Sequence, residues 1–167
     1  DIPRIESDAA LVMNVWMAAV NGIFEALAQC RVQNPDGGIA ALDRAVALWV
    51  GAGQEDGSNE KGHMLYNMAE NAGERFDQDN GETIVNTNII ESFVELQTAL
   101  LTGGSCDFTD NISAGYESIR NIVYRLTGIM TVPLVQNLIH HTMNVVNTGG
   151  SDKVELFALG IIPRVAT

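Results

Sequence analysis

The chain has 167 residues, of which 46% are hydrophobic and 18% charged, so it is long enough and apolar enough to bury a core. Its 9 basic and 21 acidic residues give a net charge of −12, which argues against nucleic acid and anionic membranes as partners. We therefore expect one soluble domain over residues 1–167.

The most apolar segment, residues 9–30, falls short of a membrane span. Asn14 and Asn21 interrupt it, and no run approaches the roughly 18 uninterrupted apolar residues that a span requires. We therefore expect no membrane insertion. The chain begins at Asp1 and not at Met, which leaves open a processed product that has lost a signal peptide.

The first two predicted helices are separated by the turn sequence Asn-Pro-Asp-Gly-Gly at 34–38. Ser7 and Asp8 lie where the N-cap of the first helix is expected. The second helix is predicted to end at Gly51 and Gly53. Apolar residues recur at helical spacing on both sides of the turn, at Val12, Val15, Trp16, Ala19, Ile23 and Leu27, and then at Ile39, Leu42, Val46, Trp49 and Val50.

Two more helices are predicted in the middle of the chain. A polar loop over 54–61 precedes a short helix that runs toward Phe76. After an acidic turn at 77–81, a fourth helix stops before Gly103 and Gly104. Its apolar face comprises Val85, Ile89, Phe93, Leu96 and Leu100.

The last part of the chain contains a long apolar pattern over 110–147, which Pro133 is expected to kink or split. A final helix is predicted from Ser151 or Asp152 to just before Pro163. We expect it to bury Val154, Phe157, Ile161 and Ile162. No segment shows sustained alternation of period two, so the predicted fold is all-α: an irregular bundle of six to seven helices, one long helix being kinked at Pro133.

The two cysteines, Cys30 and Cys106, are too few to define a disulfide framework or a zinc site. They either pair with each other or remain as two buried thiols. Asn111 begins an Asn-Ile-Ser sequon, which permits glycosylation in a secreted protein.

Asp77, Asp79 and Glu82 are the candidate ligands of a calcium ion. They lie in the string Asp-Gln-Asp-Asn-Gly-Glu, which has the alternating oxygen donors of a calcium loop. The string departs from an EF-hand, because glycine is fifth and the twelfth residue is Asn88. A helix-capping turn is the alternative.

The histidines offer little catalytic chemistry. Glu60 and His63 form one ExxH pair, whereas a di-iron bundle needs two such pairs and two further glutamates. His140 and His141 are adjacent on the long helix, with no nucleophile motif nearby. A third hypothesis is a small-ligand pocket lined by Trp16, Trp49 and the methionines.

Several strings resemble a helical domain of predicted secreted, often multidomain proteins of diatoms and related stramenopile algae. They are Asp43 with Ala-Val-Ala-Leu-Trp-Val-Gly at 45–51, Gly62 with Met-Leu-Tyr-Asn-Met-Ala at 64–69, Val-Pro-Leu-Val-Gln at 132–136 and Ile-Pro-Arg-Val at 162–165. The family often carries a cysteine where this chain has Gly-Glu-Arg-Phe at 73–76, so its disulfide pattern does not transfer. The resemblance implies a helical architecture and a secreted setting, and no activity.

Together these observations predict a non-catalytic structural or protein-interaction module, secreted or at the cell surface, with protein partners or self-association. The alternative is a metal-dependent enzyme or a calcium-binding domain that uses the acidic 55–82 region. The enzyme hypothesis would draw on Glu60, His63, His140 and His141. No cofactor other than calcium is expected.

Overall fold

The computed structural model describes residues 2–51, 64–77, 83–102, 105–107, 114–148 and 151–165. Within these ranges the chain forms six helices and no strand, which confirms the predicted all-α fold. The helices are α1 (Ile2–Arg31), α2 (Pro35–Val50), α3 (Leu65–Arg75), α4 (Ile84–Leu101), α5 (Ala114–Thr148) and α6 (Ser151–Val165).

Helices α1 and α2 form an antiparallel pair with a very short connection. The Asn34 side chain accepts a hydrogen bond from the Gly37 amide at 3.1 Å, and Pro35 occupies the first turn. A capping Asn followed by Pro is a strong helix start, so α2 begins inside the segment that was predicted to be a turn. At its other end, Gly51 terminates α2 with a φ of 75°, as its position predicts.

Two further predicted helix boundaries are wrong. Helix α1 starts at Ile2 and passes through Ser7 and Asp8, because each costs a helix interior only about 0.7 kcal/mol or less relative to Ala. Helix α6 continues through Pro163 to Val165. A proline removes one backbone hydrogen bond from a helix but does not oblige the chain to leave it.

Helix α5 is continuous through Pro133, so of the two predicted outcomes, a kink or a split, the split is wrong. The ring of Pro133 removes the donor that would bond to the carbonyl of Ile129. A side chain of α1 adds a hydrogen bond to the neighbouring turn of α5: the Trp16 indole N–H donates to the Met130 carbonyl at 3.0 Å. This bond joins α1 to the middle of α5.

All six helices contribute to one apolar core. Helix α1 packs against α2, α3, α5 and α6, and helix α5 packs against α1, α3, α4 and α6. The largest fully buried side chains are Trp16, Trp49, Ile23, Leu42, Leu65, Ile89, Leu96, Ile119, Leu126, Met130, Leu134 and Ile161. Helix α6 buries Phe157 and Ile161 as predicted, whereas Ile162 is exposed.

Cys30 and Cys106 form a disulfide, with 5.0 Å between their Cα atoms. The bond ties the end of α1 to the connection between α4 and α5. Both residues are buried, and the alternative of two free thiols is wrong.

Two segments, Leu11–Arg31 and Ala114–Val145, are long and apolar enough to cross a membrane by length and composition. Their mean hydropathies are 1.5 and 1.3, and 44% of each tested window is buried in the protein. Buried helices of a protein core pass the same test, so composition alone does not assign these segments to a membrane.

Candidate functional site

The predicted calcium site lies mostly outside the described residues. Asp77 follows α3, is exposed, and has a φ of 52°; its amide donates to the Glu74 carbonyl at 3.3 Å. Asp79 and Glu82 lie outside the described ranges, as do Glu60 and His63. Among the residues that the structure does describe, no group of three His, Cys, Asp or Glu side chains could hold a metal ion. Calcium binding therefore stays a prediction.

Glycosylation at Asn111 also stays a prediction, because residues 108–113 are outside the described part of the chain.

His140 and His141 contribute to the packing of α6 against α5. The His141 ring stacks on Phe157 with a centroid separation of 5.7 Å and an interplanar angle of 18°. The His140 ring meets His141 edge to face at 5.3 Å, and Asn144 Nδ2 donates to the His140 carbonyl at 2.9 Å. The geometry gives His141 a packing role between two helices.

The two tryptophans are enclosed by the core, and their indole N–H groups donate to the Met130 carbonyl and to Asn86 Oδ1. These contacts give Trp16 and Trp49 a role in packing. A ligand pocket lined by them stays a prediction.

A buried polar network connects α2, α3 and α4. Asn86 Oδ1 accepts the Trp49 indole N–H at 3.0 Å, while Asn86 Nδ2 donates to the Tyr66 carbonyl at 3.0 Å and to Glu70 Oε1 at 2.6 Å. Glu70, only 7% exposed, also accepts the Thr83 amide at 3.1 Å and the Thr83 hydroxyl at 2.9 Å. The carboxylate is thus held by several donors at the start of α4.

This network joins two parts of the chain that are distant in sequence. Trp49 lies in the string at 45–51, Tyr66 lies in the string at 64–69, and Glu70 directly follows the second string. Thr83 is the N-cap of α4 and accepts the Asn86 amide, so the Glu70 carboxylate supports a helix start. Since the core encloses the network, we assign it a structural role.

Glu70 belongs to the acidic 55–82 region that was predicted to offer a cation site, and Asn86 was not predicted to have a role. Asn86 lies on the same face of α4 as Ile89 and Phe93, and a polar residue in an apolar stripe is a visible sign of a buried hydrogen bond. Glu70 is likewise on the buried face of α3 with Tyr66 and Ala69. Their partners, 13 to 37 positions away, are not visible in a local pattern.

An open groove of about 490 Å³, which we call the α3 groove, lies between α1, α3 and α5. The N-cap and one face of α3 supply Met64, Asn67, Met68, Asn71 and Arg75. The opposing helices supply Leu11, Val12 and Asn137. Methionines were predicted to line a pocket, and two of them do so here without the tryptophans.

The polar end of the α3 groove is held by a hydrogen bond between helices. Arg75 Nη1 donates to Asn137 Oδ1 at 2.9 Å, and Asn137 Nδ2 donates to the Pro133 carbonyl at 2.8 Å. Asn137 is 6% exposed, whereas Arg75 is exposed. A buried amide therefore orients an accessible guanidinium.

A second surface feature is the outer side of α5, which we call the α5 face: Tyr124, Val132, Ile139 and Met143. At 100° per residue these positions fall within an arc of about 100°. All four side chains are exposed, Met143 by 72%. Helix α5 therefore presents an apolar stripe on the side opposite its core residues.

No protein-family model, no curated protein and no solved structure matches this chain. The resemblance to the algal helical domain stays a prediction.

Proposed function

We propose that this chain is a non-catalytic structural or protein-interaction module of an extracellular or cell-surface assembly. It binds a protein surface through the α5 face, and a second copy of the chain is the partner that we propose to test first.

The observation that carries this proposal is that α5 is apolar on two sides. One side supplies Ile119, Leu126 and Leu134 to the core. The α5 face lies on the other side and is exposed. Exposed polar residues such as Arg125 and Thr142 border this stripe. An apolar patch with a polar rim is typical of a protein-interaction surface, so the α5 face is the surface that we propose for binding.

Helix α6, which packs against α5, also exposes apolar side chains. Leu159 and Ile162 are exposed by 69% and 54%. Tyr124, at the other end of the α5 face, makes an edge-to-face contact with Phe24 of α1 at 5.8 Å. Aromatic and methionine side chains such as Tyr124 and Met143 are enriched at protein interfaces.

The disulfide supports an extracellular or cell-surface setting. Disulfides such as Cys30–Cys106 form and persist in oxidising compartments and are rare in the cytosol. The Asn111 sequon and the resemblance to predicted secreted proteins agree with this setting.

A non-catalytic role is supported by how the buried polar groups are used. Glu70 is the charged residue with the least exposure among the described side chains, and its oxygens accept hydrogen bonds from Thr83 and Asn86. Such groups stabilise the start of a helix and are shielded from substrate.

The proposal is tested by sedimentation equilibrium of the disulfide-bonded chain over rising concentration, for the wild type and for Met143→Lys. We expect the wild type to self-associate. Met143→Lys should raise the dissociation constant of the self-associated form by at least about tenfold, because a charge in an apolar interface loses hydration. Leu101→Lys is the matched control, since Leu101 is equally exposed at the end of α4. A wild type that stays monomeric throughout contradicts the proposal for self-association.

A further inference from the structure

The α3 groove has the volume of a small-molecule site and a lining that is half apolar and half polar. Its volume of about 490 Å³ falls within the range of ligand pockets, which are mostly apolar with a few placed polar groups. Met64 and Met68, with Leu11 and Val12 opposite, supply the apolar part. Methionine side chains are flexible and polarizable, so they adapt to an irregular or extended apolar ligand.

Arg75 gives the α3 groove a positive charge, and no acidic side chain in the described part of the chain forms an ion pair with it. Among the described residues, the ion pairs join Arg120 to Glu117 and Arg125 to Glu95, and neither involves Arg75. The partner of Arg75 is instead the neutral amide of Asn137. Because a guanidinium has five N–H donors, the one hydrogen bond to Asn137 orients the group and leaves other donors for a ligand.

The apolar and positive ends of the groove are separated along one face of α3. Arg75 follows Met64 by about three turns, which places it about 16 Å further along the helix axis. Asn67 and Asn71 lie between them, and Asn71 Nδ2 donates to Asn67 Oδ1 at 3.0 Å. A ligand that used both ends would be elongated, with its anionic group at one end.

We propose that the α3 groove binds a small monocarboxylic acid with an unbranched apolar chain. The carboxylate accepts hydrogen bonds from Arg75, and the chain extends along Met68 toward Met64. A carboxylate matches the planar donor geometry of a guanidinium. A single negative charge is favoured over a higher one, because the protein carries a net charge of −12 and repels an anion more strongly the higher its charge. This ligand requires neither the α5 face nor a protein partner.

Binding is tested by isothermal titration of the full chain with decanoate, with 1-decanol as the neutral counterpart. We expect saturable binding of one decanoate, and affinity at least about tenfold weaker both for 1-decanol and for the variant Arg75→Gln. Arg31→Gln is the matched control, because Arg31 is also the exposed last residue of a helix. The substitution removes the same charge as Arg75→Gln. Its affinity for decanoate should equal that of the wild type.

A second variant separates the groove from general electrostatics. Met68→Gln keeps Arg75 in place, and it should weaken decanoate binding by at least about threefold while thermal unfolding of the unliganded variant confirms that it folds. The proposal is overturned by unsaturable binding, by equal affinities of Arg75→Gln and wild type, or by equal losses in Arg75→Gln and Arg31→Gln. It is also overturned if a short peptide ending in leucine binds and decanoate does not.

Discussion

At the scale of single residues, the buried polar network is the feature that most constrains this fold. Glu70 and Asn86 link three helices through hydrogen bonds to Thr83, Tyr66 and Trp49. Each of these groups would be costly to bury alone, so the network specifies one arrangement of α2, α3 and α4.

Replacing Glu70 with alanine should lower the free energy of unfolding by about 3 kcal/mol, because the Thr83 amide and the Asn86 side-chain amide then lose an acceptor inside the core. Urea unfolding measures this change. Glu91→Ala is the matched control, since Glu91 is exposed on α4 and its loss should cost no more than about 0.5 kcal/mol. Equal effects of the two substitutions would refute the structural role of the network.

The sequence is informative about helix interiors and less so about helix ends. The spacing of Val85, Ile89 and Phe93 predicts α4, and all three are buried. The starts of α1 and α2 are mispredicted. The preference of a capping residue such as Ser7, or of a Gly such as Gly38, for a position outside a helix interior is worth only about 1 kcal/mol. Packing against neighbouring helices outweighs a preference of that size.

The contacts of α1 with α2 require a small residue at Gly22. A Cβ atom added there would lie 3.1 Å from the Ala41 carbonyl oxygen and 3.1 Å from Ala45 Cβ. At Gly128 of α5, by contrast, an added Cβ meets nothing within 4 Å. Two glycines that are both in helix interiors therefore have different reasons for being there.

We predict that Gly22→Val destabilises the protein by about 2 kcal/mol or more, because the branched side chain separates α1 from α2. Gly128→Ala should instead raise stability by about 0.5–1 kcal/mol, since alanine restricts the unfolded backbone and has higher helix propensity. Thermal unfolding of both variants at low protein concentration checks this prediction. Changes of the same sign and size would show that α1 and α2 do not pack as closely as described.

At the scale of the whole molecule, the disulfide closes a loop between residues that are 76 positions apart. In the chain-entropy description, a loop of this length stabilises the folded state by about 4 kcal/mol. The Cys30→Ala, Cys106→Ala double variant should lose about this amount in urea unfolding. A loss below about 1 kcal/mol contradicts a structural role for the bond.

The sequence predicts the all-α class because helical periodicity is a local property, whereas both candidate surfaces depend on tertiary packing. The α3 groove forms because Arg75 meets Asn137 at a distance of 62 positions along the chain. The α5 face is equally hard to predict from the sequence. Val123 and Tyr124 are adjacent and both suit a core, and only packing determines that Tyr124 is exposed. Pairing of Cys30 with Cys106 likewise follows from the fold and not from their spacing.

The most direct test of the proposed interaction is to map which residues respond to concentration in two-dimensional NMR spectra of the 15N-labelled chain. We predict concentration-dependent shifts at Tyr124, Val132, Ile139 and Met143, and constant shifts around Leu101 on α4. Shifts that are independent of concentration along α5, or that change only on α4, would contradict self-association through the α5 face.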